Sequence, residues 1–91
     1  MSDGIAIIKM KIMPSSPEVD LEGLKDKIKE VVSKEGGNNE KFSEQPIAFG
    51  LKAVIVEFTW PEEKELEGIE ESLGEIEGVQ SVQVSEMSKI A

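Results

Sequence analysis

Residues 45–53 read Gln-Pro-Ile-Ala-Phe-Gly-Leu-Lys-Ala, and they limit the fold most, because they turn a proline-bearing segment into the most apolar run of the chain. Pro46 has no N–H to give to a strand ladder, so the segment before it, expected as a strand over roughly residues 41–48, belongs at a sheet edge. Gly50 permits backbone angles that a side chain forbids. Between them Phe49 is a large apolar residue beside a turn, where a buried role is not guaranteed, and it is the first candidate contact residue. After the turn Val54, Val56 and Phe58 point one way and Ala53, Ile55, Glu57 and Thr59 the other. That period of two marks a strand, and its apolar content places it in the middle of a sheet.

The remaining elements read outward from this pair. Residues 5–13 alternate too, with Ala6, Ile8, Met10 and Ile12 on one face and Ile5, Ile7, Lys9, Lys11 and Met13 on the other. Pro14-Ser15-Ser16-Pro17 breaks that strand, because neither proline can continue a ladder. Asp20 can cap a helix in which Leu21, Leu24, Ile28, Val31 and Val32 recur at helical spacing. Gly36-Gly37-Asn38-Asn39 then stops the helix. Trp60-Pro61 ends the central strand, with Pro61 suited to the first turn of a second helix or the approach to it. In that helix Leu66, Ile69, Leu73 and Ile76 keep the period, and Gly78 is the expected C-terminal cap. A last strand from Val79 to about Glu86 buries Val82 and Val84, leaving Met87-Ser88-Lys89-Ile90-Ala91 as a tail.

The order is strand, helix, strand, strand, helix, strand, with no internal linker long enough to divide the chain, so residues 1–91 form a single domain. Right-handed crossovers through both helices put the first and third strands in the centre and the second and fourth at the edges. The expected fold is a ferredoxin-like β-α-β-β-α-β sandwich of the α+β kind, with two helices on one face of a four-stranded antiparallel sheet. On the other face Ile5, Ile7, Ala53 and Ile55 would make a partly exposed apolar patch.

Composition removes most functions this architecture hosts. The chain has no cysteine, histidine or arginine and a formal net charge of −9. Thiolate and imidazole metal sites, cysteine nucleophiles and histidine acid–base chemistry are therefore excluded. Such a chain repels polyphosphate backbones, so direct nucleic-acid binding is not expected. An acylphosphatase-like enzyme would want an arginine at a phosphate-cradling loop. An RNA-recognition domain would want stacking aromatics on the central strands, which carry Ile, Lys, Val and Glu instead. The glutamates between Glu62 and Glu77 read as a solvated helix face rather than a catalytic pair. Without a signal-like start or a membrane-length apolar run, a soluble cytoplasmic protein is expected. What survives is a binding module rather than an enzyme, with no cofactor.

Several blocks then stand out in order. These are Lys11-Ile12-Met13-Pro14 with Ser16-Pro17 and Val19-Asp20-Leu21, Pro46-Ile47-Ala48-Phe49-Gly50-Leu51-Lys52-Ala53, Ile76-Glu77-Gly78-Val79-Gln80-Ser81-Val82, and the closing Met87-Ser88-Lys89-Ile90. Together they resemble the guanine-nucleotide-exchange subunits of translation elongation factor one, the elongation factor one-beta family in its short archaeal form. The resemblance implies a factor that binds the GTPase elongation factor one-alpha and helps it release GDP so that GTP can enter, with no additional exchange-complex subunit. It implies that Phe49 contacts the GTPase, with Gly50 and Lys52 beside it. It further implies that Lys89, flanked by Met87 and Ile90, reaches toward the partner's magnesium and phosphate region. The alternative reading is a small regulatory ligand-binding or self-associating module of the same fold.

Overall fold

A computed structural model describes residues 4–89. The elements are β1 (Ile5–Pro14), α1 (Leu21–Glu35), β2 (Asn38–Pro46), a short 3-10 turn (Ala48–Gly50), β3 (Lys52–Pro61), α2 (Glu67–Gly74) and β4 (Val79–Lys89). All four strands pair antiparallel in the order β2-β3-β1-β4. The fold is therefore the expected ferredoxin-like one, with β1 and β3 central.

One face of the sheet carries the core. Ala6, Ile8, Met10 and Ile12 of β1 and Val54, Val56, Phe58 and Trp60 of β3 pack with Leu24, Ile28 and Val32 of α1 and Ile69 and Leu73 of α2, all at most 2% exposed. Each large aliphatic side chain so buried stabilises the fold by about 1.5–3 kcal/mol relative to leaving it in water. Asp20 caps α1 by accepting a hydrogen bond from the Glu22 N–H at 3.2 Å. At the other end Gly36 takes φ 108°, which aims its N–H and that of Gly37 back at the Ser33 and Val32 carbonyls. None of the helices described is long and apolar enough to cross a membrane.

The structure departs from the sequence reading in several places. β2 spans Asn38–Pro46 rather than 41–48, starting directly after the helix cap, with an irregularity between Asn38 and Lys41 where Asn39 takes φ 58°. β1 runs on to Pro14, which still pairs with Val79. Trp60 and Pro61 are the last residues of β3, not the approach to a helix. The inward alternation of Val54, Val56 and Phe58 simply continues to Trp60, whose ring meets Phe58 edge-on at 5.7 Å and whose indole N–H donates to the Lys64 carbonyl at 2.9 Å. The chain must wrap around that ring before α2 can begin at Glu67. Helix α2 closes at Glu75, so Gly78 (φ 96°) belongs instead to a turn in which the Val79 N–H donates to Ile76. Ala53 is buried, a single methyl between flanking strands opposite Gln45, so the open face keeps Ile5, Ile7 and Ile55 but not Ala53.

The largest departure is at the end of the chain. Residues Met87, Ser88 and Lys89 are strand, paired with Ile8, Ile7 and Ala6. Lys9 faces Glu86 while Met10 faces Val84, so Ser85 is an extra residue bulged out of the ladder. The bulge reverses the parity of β4. Val82 and Val84 face the helix side and are half-buried, and after the bulge Met87 and Lys89 lie on that same side, opposite Ile8 and Ala6. An eight-residue helix covers about 12 Å, against about 36 Å for an eleven-residue strand, so α2 leaves the distal half of β4 uncovered.

Candidate functional site

The β2–β3 connection is a tight loop closed at both ends. The Ile47 N–H donates to Leu51 O at 2.7 Å, and the Leu51 N–H donates to Ala48 O at 3.3 Å. To turn within this span, two successive residues adopt left-handed angles, Phe49 at φ 63° and Gly50 at φ 77°. Glycine does so freely, whereas a residue with a Cβ pays about 1–2 kcal/mol. The strained residue is also the most exposed large apolar one described, since the Phe49 side chain is 93% accessible. The ring is thus held in water by a backbone conformation that costs energy.

Behind the loop a small charge network steadies the edge strand. Lys25 of α1 lies 2.9 Å from one Glu44 oxygen and 3.2 Å from Glu22, and Lys52 stands 4.0 Å from the other Glu44 oxygen. Its hydrogen bond to Lys25 holds the Glu44 carboxyl below its ordinary value of 4.5. The same bond, partly opposed by desolvation, holds Lys25 above 10.5. Lys52 is thus tethered beside Phe49 with its ammonium largely in solvent.

Lys89 lies elsewhere. Its Cα is opposite Ala6, and its Nζ sits 3.1 Å from Glu62 Oε1, with the lysine side chain 68% exposed. Met87, two residues earlier, is 60% exposed even though it faces the helix side, because α2 stops short of it. Ile90 lies outside the described residues. Ala6 also pairs with Trp60, eight residues along β3 from Lys52, so the Lys89 end and the Phe49 end are separated by about 26 Å of strand. The sequence-derived site residues therefore form two clusters at opposite ends of a molecule 47 Å long. Gly50 and Lys52 join Phe49, and Met87 joins Lys89.

Two participants were not visible in the sequence. Glu62 looked like one more glutamate in an acidic run, yet the fold places it against Lys89, 27 positions away. Trp60 looked like a strand terminator, yet it floors a cleft of about 340 Å³ with Ile5, Asn38, Thr59 and Glu62 on its walls. No local pattern could have found either contact. Among the described residues no group of three or more acidic, histidine or cysteine side chains could hold a metal ion. What the surface offers is an exposed aromatic ring at one end and a largely exposed, ion-paired lysine at the other.

Comparison with known proteins agrees with that chemistry. The family model described as the EF-1 guanine nucleotide exchange domain matches residues 7–90. An elongation factor 1-beta from Methanothermobacter thermautotrophicus is 43% identical over 91 residues, covering 99% of each chain. That of Methanocaldococcus jannaschii is 45% identical over 86 residues, 90% of this chain and 93% of the relative. That of Methanococcus maripaludis strain C6 is 43% identical over 86 residues, 92% and 96%. Since the match takes in both end clusters and all the elements between them, this chain belongs to the family of EF-1 guanine nucleotide exchange domains.

Proposed function

We propose that this chain works on its GTPase from the two ends of its sheet, Phe49 anchoring one end while Lys89 disturbs the nucleotide site at the other. The activity itself is that of the family, guanine nucleotide exchange in translation elongation. The partner is elongation factor one-alpha, from which the chain speeds GDP release so that GTP can enter. The observation that carries the two-ended reading is Phe49, a solvent-exposed aromatic held in a left-handed conformation.

The physics needs no covalent step. Lysine is a compact cation on a flexible stem, so its ammonium can enter among the groups that hold Mg²⁺ and weaken their grip on the ion and the phosphates. Nucleotide and factor then weaken each other's binding reciprocally. A thousandfold faster release requires only about 4 kcal/mol, within reach of one displaced ion and local rearrangement. Phe49 supplies apolar anchoring at one end, with Gly50 permitting the turn and Lys52 bordering it, while Met87 borders Lys89 at the other. A net charge of −9 favours a protein surface over a direct nucleic-acid contact, and the cytoplasm is where such a reaction would run.

Release of a fluorescent GDP analogue from elongation factor one-alpha tests the reading. Acceleration by the wild-type chain that is lost in Lys89→Ala, with binding retained, is the expected result. Full acceleration by Lys89→Ala would remove Lys89 from the mechanism, and absence of binding by the wild type would leave the open sheet face as the alternative surface.

A further inference from the structure

Lys89 is not free in the isolated protein. Its ammonium is folded back across the end of β1 onto Glu62, 3.1 Å away, rather than projecting off the sheet. Glu62 in turn is seated. Its backbone N–H donates to the Gly4 carbonyl at 3.0 Å, and its carboxylate lies directly over Gly4, where an added Cβ would collide with it. The Glu62 side chain is only 30% exposed, against 68% for Lys89. One partner of the pair is largely buried against Gly4, and the other is the longer and more exposed.

We propose that Glu62 is a positioning residue for exchange, a latch that parks the Lys89 ammonium and must release it before the lysine can act on the partner. The inference rests on the reading of Lys89 given above. Its physical basis is charge. A paired ammonium presents a dipole whose field falls away faster than that of a free cation, and a carboxylate beside the partner's Mg²⁺ would attract the ion that Lys89 is there to disturb. Productive binding therefore requires the open arrangement of Lys89. When only a fraction of the molecules is competent, the apparent affinity falls by that fraction while the chemistry of the bound complex is unchanged. Exposed ion pairs of this kind shift such populations modestly, so the latch raises the KM for the partner by about two- to fivefold. Gly4 is part of the device because a Cβ there would make the Glu62 carboxylate shift.

The test is a kinetic split, measured as release of a fluorescent GDP analogue over a range of exchange-factor concentrations. Glu62→Gln is expected to lower KM by about two- to fivefold and leave the saturated release rate unchanged. Gly4→Ala, which keeps the carboxylate but displaces it, is expected to move KM in the same direction. In the Lys89→Ala background, where the readout is the binding affinity for elongation factor one-alpha because exchange is lost, Glu62→Gln should change nothing. An unchanged or raised KM in Glu62→Gln, with Lys89→Ala still inactive, overturns the latch and leaves the Lys89 mechanism standing. An equal effect of Glu62→Gln with and without Lys89 also overturns it, because the effect then does not act through the lysine. If Lys89→Ala exchanges at the wild-type rate, the reading of Lys89 fails and the latch fails with it.

Discussion

Phe49→Ala is expected to separate binding from folding. In the free protein the ring is 93% exposed, so removing it uncovers almost no apolar area. The left-handed backbone cost falls on alanine as it does on phenylalanine, and stability should change by no more than about 0.5 kcal/mol. For a domain this size that is a Tm shift of less than roughly 4 °C. In the complex the account differs, because fully burying a phenylalanine side chain contributes about 1.5–3 kcal/mol. At tenfold per 1.4 kcal/mol, losing it should raise the KM for elongation factor one-alpha by roughly 10- to 150-fold. The saturated release rate should stay within about twofold of wild type, since Phe49 lies about 26 Å of strand from Lys89. Thermal melts of the two proteins and a titration of analogue release supply all three quantities. An unaltered KM would refute the anchor, and a large loss of Tm would mean that the ring packs inside the protein in solution.

Four further outcomes are expected. Lys89→Ala should melt with the wild type, being largely exposed, while saturated exchange falls by an order of magnitude or more; stopped-flow release decides it. Ile28→Ala, at a fully buried position of α1, should cost about 2–5 kcal/mol by urea denaturation with an unchanged m-value, and a smaller loss would mean the core collapses around the gap. Gly36→Ala forces a side chain to φ 108° and sets its Cβ 2.9 Å from Lys64 Nζ, so the urea midpoint should fall by the equivalent of about 1 kcal/mol or more. The Lys25–Glu44 pair predicts a pH window. Glu44 is depressed below 4.5 in the folded state, so its contribution is present above that value and lost as pH falls through the lower folded value. Lys25 is raised above 10.5, so its contribution is present below 10.5 and lost as pH climbs through the higher folded value. The Tm difference between wild type and Glu44→Gln should accordingly be flat across neutral pH and shrink in acid below 4.5; a difference that persists there would assign the effect to packing.

The order of elements was legible because local pattern alone carries it. Alternation in β1 and β3, the stripe of Leu24, Ile28 and Val32, and the Asp20 and Gly36 caps each depend on residues within one turn or one strand. Pro46 marked its own strand as an edge, and an edge it is. Elements whose limits depend on distant partners differ from what local pattern predicts. β4 runs to Lys89 because Ile7 and Ala6 offer it a ladder and the bulge at Ser85 shifts its register by one residue, and a run of serine, glutamate and methionine shows neither fact. α2 begins late because the loop must first close over Trp60.

The sequence by itself determined the fold class, the lack of the cysteine and histidine that thiolate and imidazole chemistry require, and the family. Fold class is set by short-range periodicity, the missing side-chain types by composition, and the family by ordered blocks of adjacent residues, all of which a stretch of chain displays without its neighbours. Only the tertiary structure decided that Phe49 and Lys89 stand at opposite ends of the sheet, that Phe49 is held in a left-handed turn, and that Lys89 is parked on Glu62 over Gly4. Those facts follow from strand register and crossover geometry, which join residues far apart in the chain. A local pattern contains no record of which distant group will lie across the ladder.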